Sequence, residues 1–231
     1  MKRALFLLTA ACLSLWSCHS RENLPQKQLG RGYYLNFNCN RCHRIGNSGG
    51  IDGPDLTMVG LRHSREWLDL WIKNPRAWKK DTVMLDLKVE DKTRQAIVEY
   101  LVSLKGEIFQ QSGHPWDNAR LTGDPVGRGQ VIFERAGCAA CHGKAGKGGF
   151  PNNNVIGGQI PSLTYAADGF TTEELKERIR RGRKPESADG AKPPALVEMP
   201  GWAGILKEKD IDDVAQYIFS LRPPKKKDDE W

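Results

Sequence analysis

What this sequence has little of narrows it first. No apolar run reaches the ~20 residues that a membrane-spanning helix needs, and the mean hydropathy is −0.55, so a polytopic membrane protein is excluded. Few segments alternate between apolar and polar residues, which argues against a sheet. Six cysteines in 231 residues are too few for a scaffold held by disulfides. Only four methionines occur, so each can be weighed singly as a ligand or a packing group.

The amino terminus has the layout of a secretory signal: Met1-Lys2-Arg3 is short and positive, and Ala4 to Trp16 is apolar. The run closes on Leu15-Trp16-Ser17-Cys18. A large aliphatic residue three places before a cysteine and a small one directly before it resemble the lipobox of bacterial lipoproteins. Residues 1–17 are therefore expected to be a signal peptide and Cys18 the acylated mature amino terminus, with 18–26 as a tether. An ordinary cleavage site that happens to contain Cys18 is the plainer reading. Acyl chains at one cysteine anchor a protein stably, each buried CH₂ contributing ~0.8 kcal/mol. The implied place is the periplasmic side of a bacterial membrane, lipid-anchored.

Cys12, with Thr9 rather than a large aliphatic residue three places before it, is a poorer candidate for acylation; the remaining four cysteines form two pairs, Cys39-Asn40-Arg41-Cys42-His43 and Cys138-Ala139-Ala140-Cys141-His142. Both read C-x-x-C-H, the attachment signature of c-type haem. Two thiols three positions apart reach the two vinyl groups of one porphyrin, and the following imidazole meets the iron. A zinc site built from both pairs is the competing reading, but it leaves a histidine beside each pair without a role. Two covalently bound haem c groups are expected.

Superposing the pentapeptides reveals an internal duplication. Gly30-x₃-Tyr34-x₄-Cys39 matches Gly129-x₃-Phe133-x₄-Cys138, and Pro54-Asp55-Leu56 parallels Pro161-Ser162-Leu163. Leu68 and Ile72 parallel Leu175 and Ile179, and the halves close on similar segments at Tyr100–Leu104 and Tyr217–Leu221. The expected domains are 27–106 and 125–223, with a linker at 107–124 rich in Gly, Pro, Asn and Asp, and a charged tail at 224–231. Ile97, Val98, Leu101, Val102 and Leu104 share a helical face, as do Ile211, Val214, Ala215, Ile218 and Phe219. Thr171-x-x-Glu174 has the form of a capping box opening a helix to about Arg181, and Pro75 should end the matching helix. The expected class is all-α, in two tandem domains. Each is too small to have much core of its own, and a buried porphyrin would supply the missing apolar centre.

A methionine opposite histidine raises a haem's potential. Met199 and Met84 occupy matching places before the closing segments at Tyr217 and Tyr100, so they are the expected sixth ligands. Met58 is too near His43, on the wrong side of a helix; His63, an expected exposed helix-start residue, is the alternative for the first haem. His19 and His114 are expected to be solvated, and Trp67 and Trp71 to be core or haem-packing groups. The cluster Arg178, Arg180, Arg181, Arg183 and Lys184 reads as a solvated helix face, or alternatively as a propionate or acidic-partner contact.

These residues together resemble class I cytochromes c, in a form with two fused monohaem domains. The resemblance rests on Cys39, Cys42, His43, Pro54 and Met84, and on Cys138, Cys141, His142, Pro161 and Met199. It implies that the carbonyls of Pro54 and Pro161 hold the proximal imidazoles, fixing tautomer and orientation. It also implies three main helices per domain, the first and last crossing. Two features depart from the pattern: Leu85 rather than proline follows Met84, and a longer loop, Arg183 to Val197, precedes Met199. Counting haem propionates against the net charge of +7 leaves no strong basic surplus, so nucleic-acid binding has no support. The expected function is single-electron transfer between redox proteins of the cell envelope, by transient docking. The alternatives are a dihaem peroxidase, or the cytochrome subunit of a dehydrogenase or quinol-oxidising complex.

Overall fold

The computed structural model describes residues 25–224. The expected signal segment, Cys18, His19 and the tail from residue 225 lie outside the described residues. The first half runs α1 (Gln26–Asn36), α2 (Val59–Arg62), α3 (Arg65–Lys73), α4 (Pro75–Trp78) and α5 (Asp91–Val102). After α6 (Glu107–Ser112), the second runs α7 (Pro125–Ile132), α8 (Ala139–His142), α9 (Ala166–Gly169), α10 (Thr172–Arg181) and α11 (Glu208–Ser220). The regular strands among the described residues are a two-residue hairpin pair, Arg44–Ile45 with Ser48–Gly49. The architecture is all-α, as expected.

Each half is built on one crossing of its first and last helices. A Cβ on Gly30 would lie 1.9 Å from the Ala96 carbonyl oxygen of α5, and one on Gly129 would lie 1.9 Å from the Asp213 carbonyl oxygen of α11. Only hydrogen fits at either place, which explains the repeated glycine. One turn later the repeated aromatic meets the last helix: Tyr34 packs on Tyr100 at 5.6 Å and Phe133 on Tyr217 at 5.4 Å between ring centroids. The expected apolar faces are inward, with Ile97, Val98, Leu101, Ile211, Val214, Ala215 and Ile218 buried.

Local signals fix the shorter helices. The Thr171 hydroxyl accepts from the Glu174 amide at 3.3 Å, and the Glu174 carboxylate accepts from the Thr171 amide at 2.8 Å, so the capping box opens α10 where expected. Ser64 caps α3 through the Trp67 amide at 3.1 Å. Pro75 both ends α3 and starts α4, where a missing N–H costs nothing.

The segment 107–124 is more than a spacer. Phe109 and Trp116 are each 1% exposed and meet edge to face at 5.5 Å inside the second half's core. Arg128 of α7 donates to the Trp116 carbonyl at 3.0 Å and pairs with Asp117, Asp210 and Asp213. His114, expected to be solvated, is instead half-buried, its ring 4.7 Å from that of Trp116.

The loop from Arg183 to Val197, which has no sequence signal for structure, is pinned by three consecutive asparagines. Asn152 donates to the Val197 carbonyl at 2.7 Å, Asn153 accepts from the Leu196 amide at 3.0 Å, and Asn154 accepts from the Asp189 amide at 2.9 Å. Phe150, just upstream, packs across onto Trp67 and Trp71 of the first half.

Replacing Gly129 with Ala forces α7 and α11 apart and is expected to lower the unfolding free energy by ~1–3 kcal/mol. Denaturant unfolding checks this; an unchanged midpoint would mean that the crossing is not close-packed.

Candidate functional site

In the second half, α7 passes into a wide turn, Phe133–Gly137, and then into α8. Gly137 has a φ of +89°, a left-handed conformation that side chains resist, and it swings Cys138, Cys141 and His142 onto one wall. In the first half Asn38, with a φ of +56°, precedes Cys39 in the same way. That wall belongs to a cavity of about 520 Å³ that Pro161 and Met199 also line. Met199 is fixed by a two-way backbone pair with Arg183, at 2.8 and 2.9 Å, just beyond α10.

Burial sets the protonation of these groups. It lowers the pKa of His142, keeping the imidazole neutral with a lone pair available. The ring is turned toward the Pro161 carbonyl, but its Nδ1 is buried without a hydrogen bond of normal geometry. Burial also pushes the Cys138 thiol up to about 12 and raises that of Cys141. Such a wall disfavours thiolates and suits uncharged thioether bonds. Among the described residues, no group of three or more His, Cys, Asp or Glu side chains converges on a metal position. A zinc site shared by the two pairs therefore has no geometry to support it.

In the first half, His43 Nδ1 lies 2.9 Å from the Pro54 carbonyl oxygen. A carbonyl only accepts, so Nδ1 carries the proton and Nε2 is left with the lone pair. Desolvation lowers the His43 pKa, and the Pro54 bond partly offsets it. Burial raises the Cys39 thiol, while Cys42 is exposed. Met84 is half-buried, and its Sδ accepts a hydrogen bond from the Trp71 indole at 2.9 Å. Trp71 occupies the place in α3 that Arg178 holds in α10, and Arg178 lines the second cavity. Met58 is buried against Gly106 in the core.

Two expectations are corrected. His63 is not an exposed helix-start residue: it is 9% exposed, stacked on Trp67 at 3.7 Å, with Nδ1 unpartnered. The Trp67 ring covers it, at a junction where α2 and α3 both pack on α5. The basic cluster is not one solvated face either. Arg180 and Arg181 are engaged by Glu173, Glu177 and Glu208, whereas Arg178 and Arg183 line the cavity. The structure also adds a residue that the motifs do not mark. Arg62, from the first half, lines the second half's cavity; its one signal in the sequence is that its counterpart in the repeat is Gly169.

Burial, reinforced by the Arg62 charge, lowers the His63 pKa to about 3. Below the unfolded value of 6.5 the unfolded chain binds a proton that the folded chain refuses, so this group removes stability as pH falls from 6.5 toward 3. Replacing His63 with Phe should therefore lessen the loss of unfolding free energy between pH 7 and pH 5, by up to ~1.4 kcal/mol for each pH unit below the unfolded value. Equal acid sensitivity in both proteins would show that His63 protonates in the folded state.

The neutral imidazoles, the thiols on apolar walls and the thioether of Met199 in one cavity fit haem held by two thioether bonds. Comparison with known proteins agrees. The profile of the cytochrome c family matches residues 28–105 and again 126–222. The chain is 27% identical over 223 residues to the Cbb3-type cytochrome c oxidase subunit CcoP of Helicobacter pylori, covering 87% of this chain and 62% of that protein. It thus spans less than two thirds of that relative's length. Cytochrome c4 of Azotobacter vinelandii is 28% identical over 106 residues, covering 46% of this chain and 44% of that protein. Cytochrome c6 of Euglena viridis is 29% identical over 87 residues, covering 36% of this chain and 78% of that protein.

Proposed function

Because the chain belongs to the cytochrome c family and carries two covalently bound haem c groups, we propose that it is a dihaem single-electron carrier of the bacterial cell envelope. The observation that carries this reading is Met199 lining the same cavity as His142. An iron held by both His142 and Met199 would have no position left open for substrate. Haem, when bound, supplies a one-electron couple at the iron. The chain's residues would supply the rest: Cys39, Cys42, Cys138 and Cys141 would attach it, His43 and His142 would ligate through neutral imidazoles, and Met84 and Met199 would supply each iron's other protein ligand.

The two halves do this with different surroundings. The Trp71 indole holds the Met84 sulfur from one side, leaving its second lone pair free for a ligand bond. Val83 and Leu85, on either side of Met84, are 87% and 67% exposed, and Ile156 and Tyr165 are exposed at the second cavity. Small apolar patches beside each site suit brief docking with donor and acceptor, below ~1,200 Å² of total interface. A fixed place as the cytochrome subunit of a larger complex is the second reading, favoured by the extent of the likeness to CcoP.

The oxidised protein is expected to show two low-spin haems, each with a sulfur-to-iron charge-transfer band in the near infrared. Met84→Ala should remove one band and lower one potential. A high-spin iron that turns over hydrogen peroxide would contradict the carrier and favour a dihaem peroxidase; an unchanged spectrum in Met84→Ala would reassign the ligand.

The anchoring reading is tested separately. Cys18→Ser should move the protein from the membrane to the soluble fraction of cells, and unchanged fractionation would sink the lipid assignment.

A further inference from the structure

Arg62 lies at the end of α2, in the first half, yet its side chain ends in the second. It is fully buried. Nη1 donates to the Ala136 carbonyl at 3.2 Å and Nη2 to the Asp55 carbonyl at 2.7 Å. Nε is buried with no partner. Gly137 makes room for it: a Cβ there would lie 1.1 Å from Nη1. The guanidinium therefore sits against the turn that delivers Cys138, and it lines the same cavity as Cys138, Cys141 and His142.

Among the described residues Arg62 makes no ion pair. The nearby Asp55 is already bound: Arg135 pairs with it at 2.7 Å, and Thr57 donates to it from its amide and its hydroxyl. Main-chain carbonyls satisfy two of the donors but carry no net charge, so the positive charge of Arg62 acts on its surroundings. A guanidinium cannot be deprotonated in a protein. Burying it is costly, and the repeat places an uncharged glycine, Gly169, at the corresponding position. The first half has thus placed a fixed cation in the wall of its neighbour's cofactor cavity.

We infer that Arg62 is an electrostatic tuning residue acting across the domain boundary, raising the reduction potential of the second haem. The balance is simple: reduction adds one electron to the iron and removes one unit of positive charge from the site. A nearby cation repels the oxidised form more than the reduced form, and in a water-poor wall that repulsion is weakly screened. The device also makes the second centre depend on docking between the halves. Arg62 is held from one side by the peptide after Pro54, whose carbonyl fixes His43, and from the other by the peptide two residues before Cys138. The inference rests on haem in the second cavity, not on the envelope role proposed above.

The test is a redox titration of the full haem-loaded chain followed by proton NMR, in which each haem's shifted resonances report its own oxidation state. Met199→His identifies the second haem by displacing its set. Arg62→Gln keeps donors but removes the charge, and Arg62→Lys keeps the charge. At the wild-type midpoint, Arg62→Gln is expected to raise the oxidised-to-reduced ratio of the second haem about tenfold, equivalent to 59 mV for one electron, while Arg62→Lys stays near wild type. Arg62→Met takes the place of the glutamine variant if that one fails to incorporate both haems. The inference is overturned if the second haem does not shift, if Lys and Gln shift it equally, or if the first haem shifts more. A Met199→His variant that displaces neither set counts against Met199 as ligand; Met84→Ala then identifies the first haem's set, and the Gln–Lys difference is read on the other.

Discussion

In each half the main chains of the first and last helices touch where a glycine leaves no side chain between them, Gly30 on Ala96 and Gly129 on Asp213. Everything at the sites follows from that contact. It fixes the angle at which the first helix arrives, and a left-handed residue, Asn38 or Gly137, then turns the chain so that two cysteines and a histidine meet one wall. An aromatic one turn beyond each glycine locks the crossing against Tyr100 or Tyr217. Domains of this size have little apolar core of their own. The covalent porphyrin completes the core, so attachment and folding are one problem solved by one geometry.

The two copies then diverge in ways that suit separate tasks. The first sets an aromatic stack of His63, Trp67 and Trp71 beside its methionine, with the Trp71 indole donating to the Met84 sulfur. The second has Glu174 and Arg178 where the first has Trp67 and Trp71, and Arg178 lines its cavity. Cross-domain bonds from Arg62 and Arg135 tie the halves beside both histidine sites.

Short-range chemistry was legible in the sequence. The C-x-x-C-H spacing, the capping box at Thr171, the break at Pro75 and the repeat itself depend on residues within a turn or two of each other. Comparing the halves selects Met84 over Met58, and Met199 lines the same cavity as His142. Long-range placement was not legible. Nothing local marks that Phe109 and Trp116 fill the second half's core. Three asparagines near residue 153 pin a loop some forty residues on. His63 reads as a polar helix start, but the stack on Trp67 buries it. Arg62 carries no local signal, because the carbonyl it reaches at Ala136 is 74 residues away.

The most direct test of the account is a reductive titration of the full chain, counting electrons while following the spin state of each iron. The account predicts two electrons per chain, taken up in one-electron steps, with both irons low-spin before and after because no ligand leaves. An iron that loses its sixth ligand on reduction, or a chain that accepts only one electron, would contradict it.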